Sequence, residues 1–194
     1  MEQRMDEQLS TTEHDKYANI SESNWYVFFV QTGKEDEIAN GCRKKIDGEL
    51  LKKVFVPKYQ TMIQIHSIWK KRESVLFPGY VFVETEDIVS LFMEMKKLPY
   101  SNVLLGKDGE QVHAISIAEK VRLQQFLNEN DVIETSFGYK ERDKIEITRG
   151  PLAGHEGEIK KINRHKRMAS IEIEIFGRMV RLELGLELLN TKMA

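Results

Sequence analysis

The densest group of side chains able to do specific chemistry is Lys160, Lys161, Arg164, His165, Lys166 and Arg167, a run broken only by Ile162 and Asn163 and containing no acid. Cations clustered in this way attract a polyanion. The guanidinium groups can also form paired hydrogen bonds to a guanine edge or stack on an exposed base, and an imidazole can stack, carrying charge when protonated. The formal net charge is −2 over 194 residues, so affinity for nucleic acid must come from local clustering. A second basic run, Lys70-Lys71-Arg72, is weakened by the Glu73 that follows it. For both runs the plain alternative is solvated surface charge.

Bond-making chemistry finds little support. The five histidines, His14, His66, His113, His155 and His165, lie in separate segments, and none forms the i, i+4 pair of a helical zinc site. The single cysteine, Cys42, has no disulfide partner and falls between Ile38 and Ile46 at helical spacing, which favours burial over nucleophilic use. No Gly-x-Ser-x-Gly elbow or phosphate-cradling glycine loop occurs. The expectation is a binding protein rather than an enzyme, with no metal and no cofactor. Reduced cysteine usage, the lack of any apolar run near the roughly 18 residues of a membrane span, and the lack of a signal-peptide pattern point to a cytoplasmic protein.

Positioning these groups falls to a mixed set of elements. Residues 1–23 are polar and acidic, and a disordered arm is expected there. Trp25 to Val30 is an aromatic and β-branched run typical of a strand covered on both faces. Ile38, Cys42 and Ile46 mark one face of a helix with acids early and Arg43, Lys44 and Lys45 late, as its dipole favours. Val54 to Tyr59 and Met62 to Trp69 read as strands, and the polar stretch 70–74 reads as a hairpin tip before Val75-Leu76-Phe77. Pro78-Gly79 introduces a strand from Tyr80 to Glu84, and Ile88, Leu91, Phe92 and Met95 have helical spacing. Short strands are expected on either side of Gly106-Lys107-Asp108-Gly109. Ser116 with Glu119 forms a capping-box pattern that opens a third helix to about Asn128, with Ile117, Val121 and Leu127 on its buried side. Periodicity then lapses, and 129–140 reads as a linker. Beyond it, 144–148, 157–162, 168–176 and 179–184 read as short strands of a small barrel.

The segment Leu76-Phe77-Pro78-Gly79-Tyr80-Val81-Phe82-Val83-Glu84 resembles the signature of the N-terminal (NGN) domain of the NusG family of transcription elongation factors. Trp25-Tyr26-Val27, Gly33-Lys34-Glu35 and Val56-Pro57 precede it in that family's order. Gly150-Pro151-Leu152-Ala153-Gly154, Gly157 and Ile175-Phe176-Gly177-Arg178 resemble the family's KOW domain, so the likeness spans about Asn24 to Leu189. Within the family the chain is most similar to specialised antiterminators of the LoaP type. The stretches that carry this are 25–35, Val132-Ile133-Glu134-Thr135-Ser136, 159–167 and Leu184-Gly185-Leu186-Glu187.

The resemblance implies an α+β protein: an NGN-type α/β domain over 24–128 with an antiparallel sheet and helices, a linker over 129–140, and a KOW SH3-like small β-barrel over 141–194. It implies a monomer whose partners are RNA polymerase and a nascent leader RNA hairpin. Pro78, Gly79, Tyr80 and Phe82 are then expected on the apolar surface that grips the polymerase β′ clamp helices; strand parity puts Tyr80 and Phe82 on one face and Val81 and Val83 on the other. RNA is expected at Lys160, Lys161, Arg164, His165, Lys166 and Arg167, with Arg178 extending the patch. Lys70, Lys71 and Arg72 are placed near upstream or non-template DNA. His155 stands where general family members carry an aromatic directed at a ribosomal protein, which favours RNA over ribosome coupling. The alternatives are a general elongation factor that couples polymerase to ribosome or termination factor, and a ribosome-associated RNA-binding protein.

Overall fold

The computed structural model describes residues 24–98, 112–141 and 144–189. The expected arm 1–23 and the turn at Gly106 to Gly109 lie outside them. In chain order the elements are β1 (Trp25–Phe29), α1 (Glu35–Lys45), β2 (Lys53–Phe55), β3 (Lys58–Ile65), β4 (Ile68–Val75), β5 (Tyr80–Glu84), α2 (Ile88–Lys96), β6 (Val112–Ile115), α3 (Ile117–Gln124), β7 (Val132–Ile133), β8 (Ser136–Glu141), β9 (Lys144–Arg149), β10 (Lys161–Asn163), β11 (Met168–Ile175) and β12 (Arg178–Leu189). They form an α+β fold with two compact units, Met1–Val56 with Pro78–Lys120, and Pro57–Phe77 with Val121–Ala194.

The first unit holds a four-stranded antiparallel sheet in the order β2-β5-β1-β6. Residues of both parities are buried in β1 and β5, which is why these strands are continuous apolar runs and not alternating ones. Trp25, Tyr26, Val27, Phe28, Val81, Phe82 and Val83 are all buried. Helix α2 packs Phe92 in a stacked arrangement on Phe28, with ring centroids 6.1 Å apart. Its start is set by Asp87, whose carboxylate accepts the Ser90 backbone N–H at 2.9 Å. Helix α1 buries Ile38, Ala39 and Cys42, and burial pushes the Cys42 thiol up to about 11, away from nucleophilic use.

The second unit combines a five-stranded sheet, β10-β11-β12-β8-β9, with a three-stranded sheet, β4-β3-β7. Ile147, Leu152, Ile171, Ile173, Ile175, Leu182, Leu184 and Leu186 are buried in it. Strand β8 runs parallel to β12, and β7 parallel to β3.

Several expectations change here. Residues 129–140 are not a bare linker, because β7 and β8 lie within or begin in them. Their partners are distant in sequence, so composition carried no sign of the pairing. The hairpin turn is at His66 and Ser67, both left-handed with φ of 48° and 65°, and Lys70, Lys71 and Arg72 sit inside β4 opposite Ile63, Met62 and Thr61. Consecutive left-handed residues give the twist that a two-residue hairpin loop needs, and charge density is a poor guide to it. The stretch 157–162 is a short 3-10 turn at Glu156–Glu158 followed by β10. In α3 the capping box is present, with the Ser116 N–H donating to Glu119 at 2.8 Å. The helix is shorter than expected, however, and exposes Ile117 and Val121, at 48% and 51%, while burying Leu123. Phe126 in the following turn is buried too.

One glycine is set by packing. A Cβ on Gly185 of β12 would lie 2.4 Å from the Gln60 carbonyl oxygen of β3 and 2.7 Å from Thr135 Oγ1. The Thr135 hydroxyl donates to that carbonyl at 3.2 Å, so neither neighbour can withdraw without losing the bond. Gly185→Ala is therefore expected to destabilise the protein by about 1–3 kcal/mol through overpacking, read as a lowered midpoint in urea unfolding. An unchanged midpoint would show that β3 does not pass this close.

Candidate nucleic-acid interface

The basic run begins at Lys160, just before β10, and continues through that strand into the turn to β11. Asn163 Oδ1 accepts the Lys166 backbone N–H at 3.0 Å, and the Arg167 N–H donates to the Arg164 carbonyl at 3.2 Å, closing the turn. The Lys160 N–H donates to the Ser170 carbonyl at 2.8 Å and the Leu186 N–H to the Arg167 carbonyl at 2.9 Å, tying both ends to the sheet. Lys160, Lys161, Arg164, His165 and Lys166 are exposed. Among the described residues none of the five has a side-chain hydrogen bond or ion pair.

Arg167 differs. It is half-buried, left-handed at φ 52°, and donates through Nη1 to Glu187 Oε1 at 2.7 Å. Its guanidinium lies 3.6 Å from the centroid of the Trp69 ring, so it joins the hairpin to the barrel and is committed to the fold. Arg178 does not extend the patch either. It pairs with Ile175, whereas the basic turn leaves the sheet at the Met168 and Gly185 pair; seven residues at ~3.4 Å each separate the two ends by roughly 24 Å.

The hairpin and the basic turn border a groove of about 620 Å³ that Tyr59, Trp69, Arg72, His165, Lys166 and Met168 help to line. Arg72 thus shares a cavity with the turn. Lys70 and Lys71 are exposed along β4 on opposite sides of the strand.

Around Pro78-Gly79 the backbone is held by Glu35, a nearly fully buried carboxylate at the start of α1. It accepts N–H groups from Gly33 at 2.8 Å and from Gly79 at 2.6 Å. The Gly79 carbonyl in turn accepts from the Val30 N–H at 2.9 Å, and Gly79 is left-handed at φ 87°. Glu35, so far part only of the Gly33-Lys34-Glu35 likeness, is thereby the residue that positions this turn; its local signal is an acid two residues after a turn glycine. Pro78 is exposed, and Gly79 and Tyr80 are half-buried, with Tyr80 edge-on to Phe29 at 5.1 Å. Phe82 does not share this surface. It is 0% exposed, between Phe55 at 5.3 Å and Trp25 at 6.4 Å. Parity put both aromatics on one face, and it could not show that this face is covered at Phe82.

His155 is half-buried, its Nδ1 2.7 Å from Glu158 Oε1 and its ring 5.1 Å from Phe126. Arg122 pairs with the same carboxylate and lies over Phe126 at 4.7 Å. The His155 hydrogen bond, with the Arg122 charge adding to it, holds Glu158 below the usual carboxylate range. Among the described residues no group of three His, Cys, Asp or Glu side chains is placed to hold a metal, and no helix is long and apolar enough to cross a membrane.

Residues 23–124 match the family described as "Transcription termination factor nusG", and residues 141–174 match the KOW motif. The chain is similar to the transcription termination/antitermination protein NusG of Pasteurella multocida, at 24% identity over 169 residues, 84% of this chain and 92% of the relative. The corresponding protein of Halalkalibacterium halodurans is 25% identical over 171 residues, covering 84% and 95%. A solved structure of Thermotoga maritima NusG aligns with a TM-score of 0.49 at 21% identity, covering 84% of this chain and 93% of that one.

The Glu158 cluster predicts a pH dependence. A carboxyl whose folded pKa is depressed adds stability that is present above the ordinary carboxylate range and is lost as pH falls through the folded value. Because its side chain is 39% exposed, the contribution is about 1 kcal/mol or less. Glu158→Gln should accordingly flatten the acid limb of Tm against pH while leaving the neutral plateau slightly lower. An acid limb identical to wild type would remove Glu158 as a contributor.

Proposed function

The chain belongs to the NusG family of transcription factors, and from that footing we propose that it is a specialised processive antitermination factor of the LoaP type. In this reading the domain over 24–128 holds the β′ clamp helices of RNA polymerase and the KOW domain over 141–194 holds a nascent leader RNA hairpin. The observation that carries it is the group of five exposed side chains along β10 and its turn into β11, Lys160, Lys161, Arg164, His165 and Lys166, without side-chain partners among the described residues. With no carboxylate beside them among the described residues, Lys160, Lys161, Arg164 and Lys166 are open to phosphates. Regular A-form RNA has a deep, narrow major groove, so a loop, bulge or distorted stem is the suitable target.

In this division of work Lys160, Lys161 and Lys166 neutralise phosphates, and Arg164 reads a base edge or stacks on one. Arg167, held by Glu187 and Trp69, positions the turn and does not leave it. The leader RNA, still attached to its polymerase, raises the effective concentration of the factor there and so favours capture of the clamp. Tyr80, with Pro78 and Gly79 beside it, supplies the polymerase contact, and Lys70, Lys71 and Arg72 offer charge to upstream or non-template DNA. Engagement of His155 by Glu158 and Phe126 counts against ribosome coupling through that position.

Crosslinking in cells identifies the bound RNA, and titration of the full chain with that hairpin and a scrambled one tests the assignment. Each of Lys160→Ala, Lys161→Ala and Lys166→Ala should lower the slope of log affinity against log salt by about one unit or less. Arg164→Ala should mainly erode discrimination between the two RNAs, costing about 1–3 kcal/mol of it. Undiminished binding after all four substitutions would put the RNA on another face. For polymerase, Tyr80→Ala should weaken association about thirtyfold, equivalent to about 2 kcal/mol, with the thermal melt nearly unchanged. Phe82→Ala should instead destabilise the fold by about 3–5 kcal/mol. A folded Tyr80→Ala protein that binds polymerase normally would remove this surface from the interface.

A further inference from the structure

The groove between hairpin and basic turn joins two kinds of side chain that the barrel alone does not combine. From the barrel come His165 and Lys166, both exposed; from the β3–β4 hairpin come Tyr59, Trp69 and Arg72. Residues from both faces of the hairpin reach this groove. Trp69 is 36% exposed, although a large aromatic side chain normally gains by burial. The ring is also held in place, because the Arg167 guanidinium lies 3.6 Å from its centroid and is itself anchored on Glu187 at 2.7 Å. That anchoring neutralises Arg167 and leaves Arg72 and Lys166 as the groove's positive charge. The nearest acid on the hairpin, Glu73, accepts a hydrogen bond from Gln60 Nε2 at 3.2 Å.

We infer that this groove is a nucleotide-binding site that takes one unpaired base of the bound RNA, which stacks on Trp69 while Arg72 and Lys166 hold its flanking phosphates. The inference rests on the reading of the basic turn as an RNA site and extends that site to hairpin residues outside the barrel. A volume of about 620 Å³ accommodates a nucleotide. An aromatic platform beside cations is the combination by which single-stranded nucleic acid is held, since every base presents a π face and every linkage a charge. A fully paired stem offers phosphates to the turn but no free base to the ring. The two elements therefore separate charge from pairing state: the exposed lysines respond to any polyanion, and Trp69 responds only to a base out of its stack. His165 can add a second stacking surface to the groove.

The chain contains two tryptophans, and Trp25 is buried at 2% exposure, so quenching of tryptophan emission by a ligand reports Trp69. The test uses the full chain with a short oligoadenylate RNA and an RNA duplex of the same length lacking unpaired bases. Oligoadenylate is expected to quench the emission and the duplex is not. With binding read from a labelled oligonucleotide, Trp69→Leu should weaken oligoadenylate binding about tenfold and leave duplex binding unchanged, and Trp69→Phe should largely restore the affinity. Oligoadenylate binding without quenching, or an equal loss of duplex affinity in Trp69→Leu, would overturn the stacking site while leaving the basic turn intact as an RNA contact. Failure of the wild-type chain to bind the leader hairpin, the duplex and oligoadenylate would overturn both. If Trp69→Leu does not fold, the presence or absence of the quench in the wild-type chain decides the matter.

Discussion

The second unit depends on the close passage of β3 across β12 at Gly185. There the Gln60 carbonyl occupies the space a side chain would take, and the Thr135 hydroxyl bonds to it. Because β3 carries β4 with it through a continuous antiparallel ladder, this single approach brings the hairpin against the barrel. The Arg167, Trp69 and Glu187 contact then closes the same junction from the turn side. The groove exists because the hairpin is held at both points, one a steric allowance and the other a charged stack.

Electrostatics divides the basic residues by what already satisfies them. Arg167 has its carboxylate and its aromatic face, and Arg178 is at the far end of a strand. Lys160, Lys161, Arg164 and Lys166 have neither a carboxylate nor a ring among the described residues. A net charge of −2 therefore coexists with a local surface that a polyanion can occupy. The unpaired cations are thus gathered locally by placement, without an overall excess of positive charge.

In the first unit a different device does comparable positioning. Glu35 accepts two backbone N–H groups and so converts the Pro78-Gly79 turn into a fixed approach to β5. A buried carboxylate with two such donors is strongly stabilised in place, whereas removal of the carboxylate would leave two N–H groups unsatisfied. The half-buried Tyr80 beside that turn packs edge-on to Phe29, and the buried Phe82 two residues on completes the aromatic cluster with Trp25 and Phe55.

Local patterning determined much of this protein from its sequence. The aromatic runs at Trp25 and Tyr80, the apolar spacing of α1 and α2, the Ser116 and Glu119 capping box and the acid-free basic turn all act over a few residues, so their meaning survives without knowledge of the fold. Family likeness carried the two-domain α+β organisation. Tertiary structure alone decided that His66 and Ser67 form the hairpin turn, that β7 and β8 pair in parallel with distant strands, that α3 turns Ile117 and Val121 outward, and that Phe82 is covered. It also decided which cations are free, withdrawing Arg167 into a stack on Trp69 and leaving Arg164 exposed three residues away. The physical reason is common to all of these. Pairing register, coverage of a face and satisfaction of a charge depend on groups far apart along the chain, and only folding brings those groups within bonding distance.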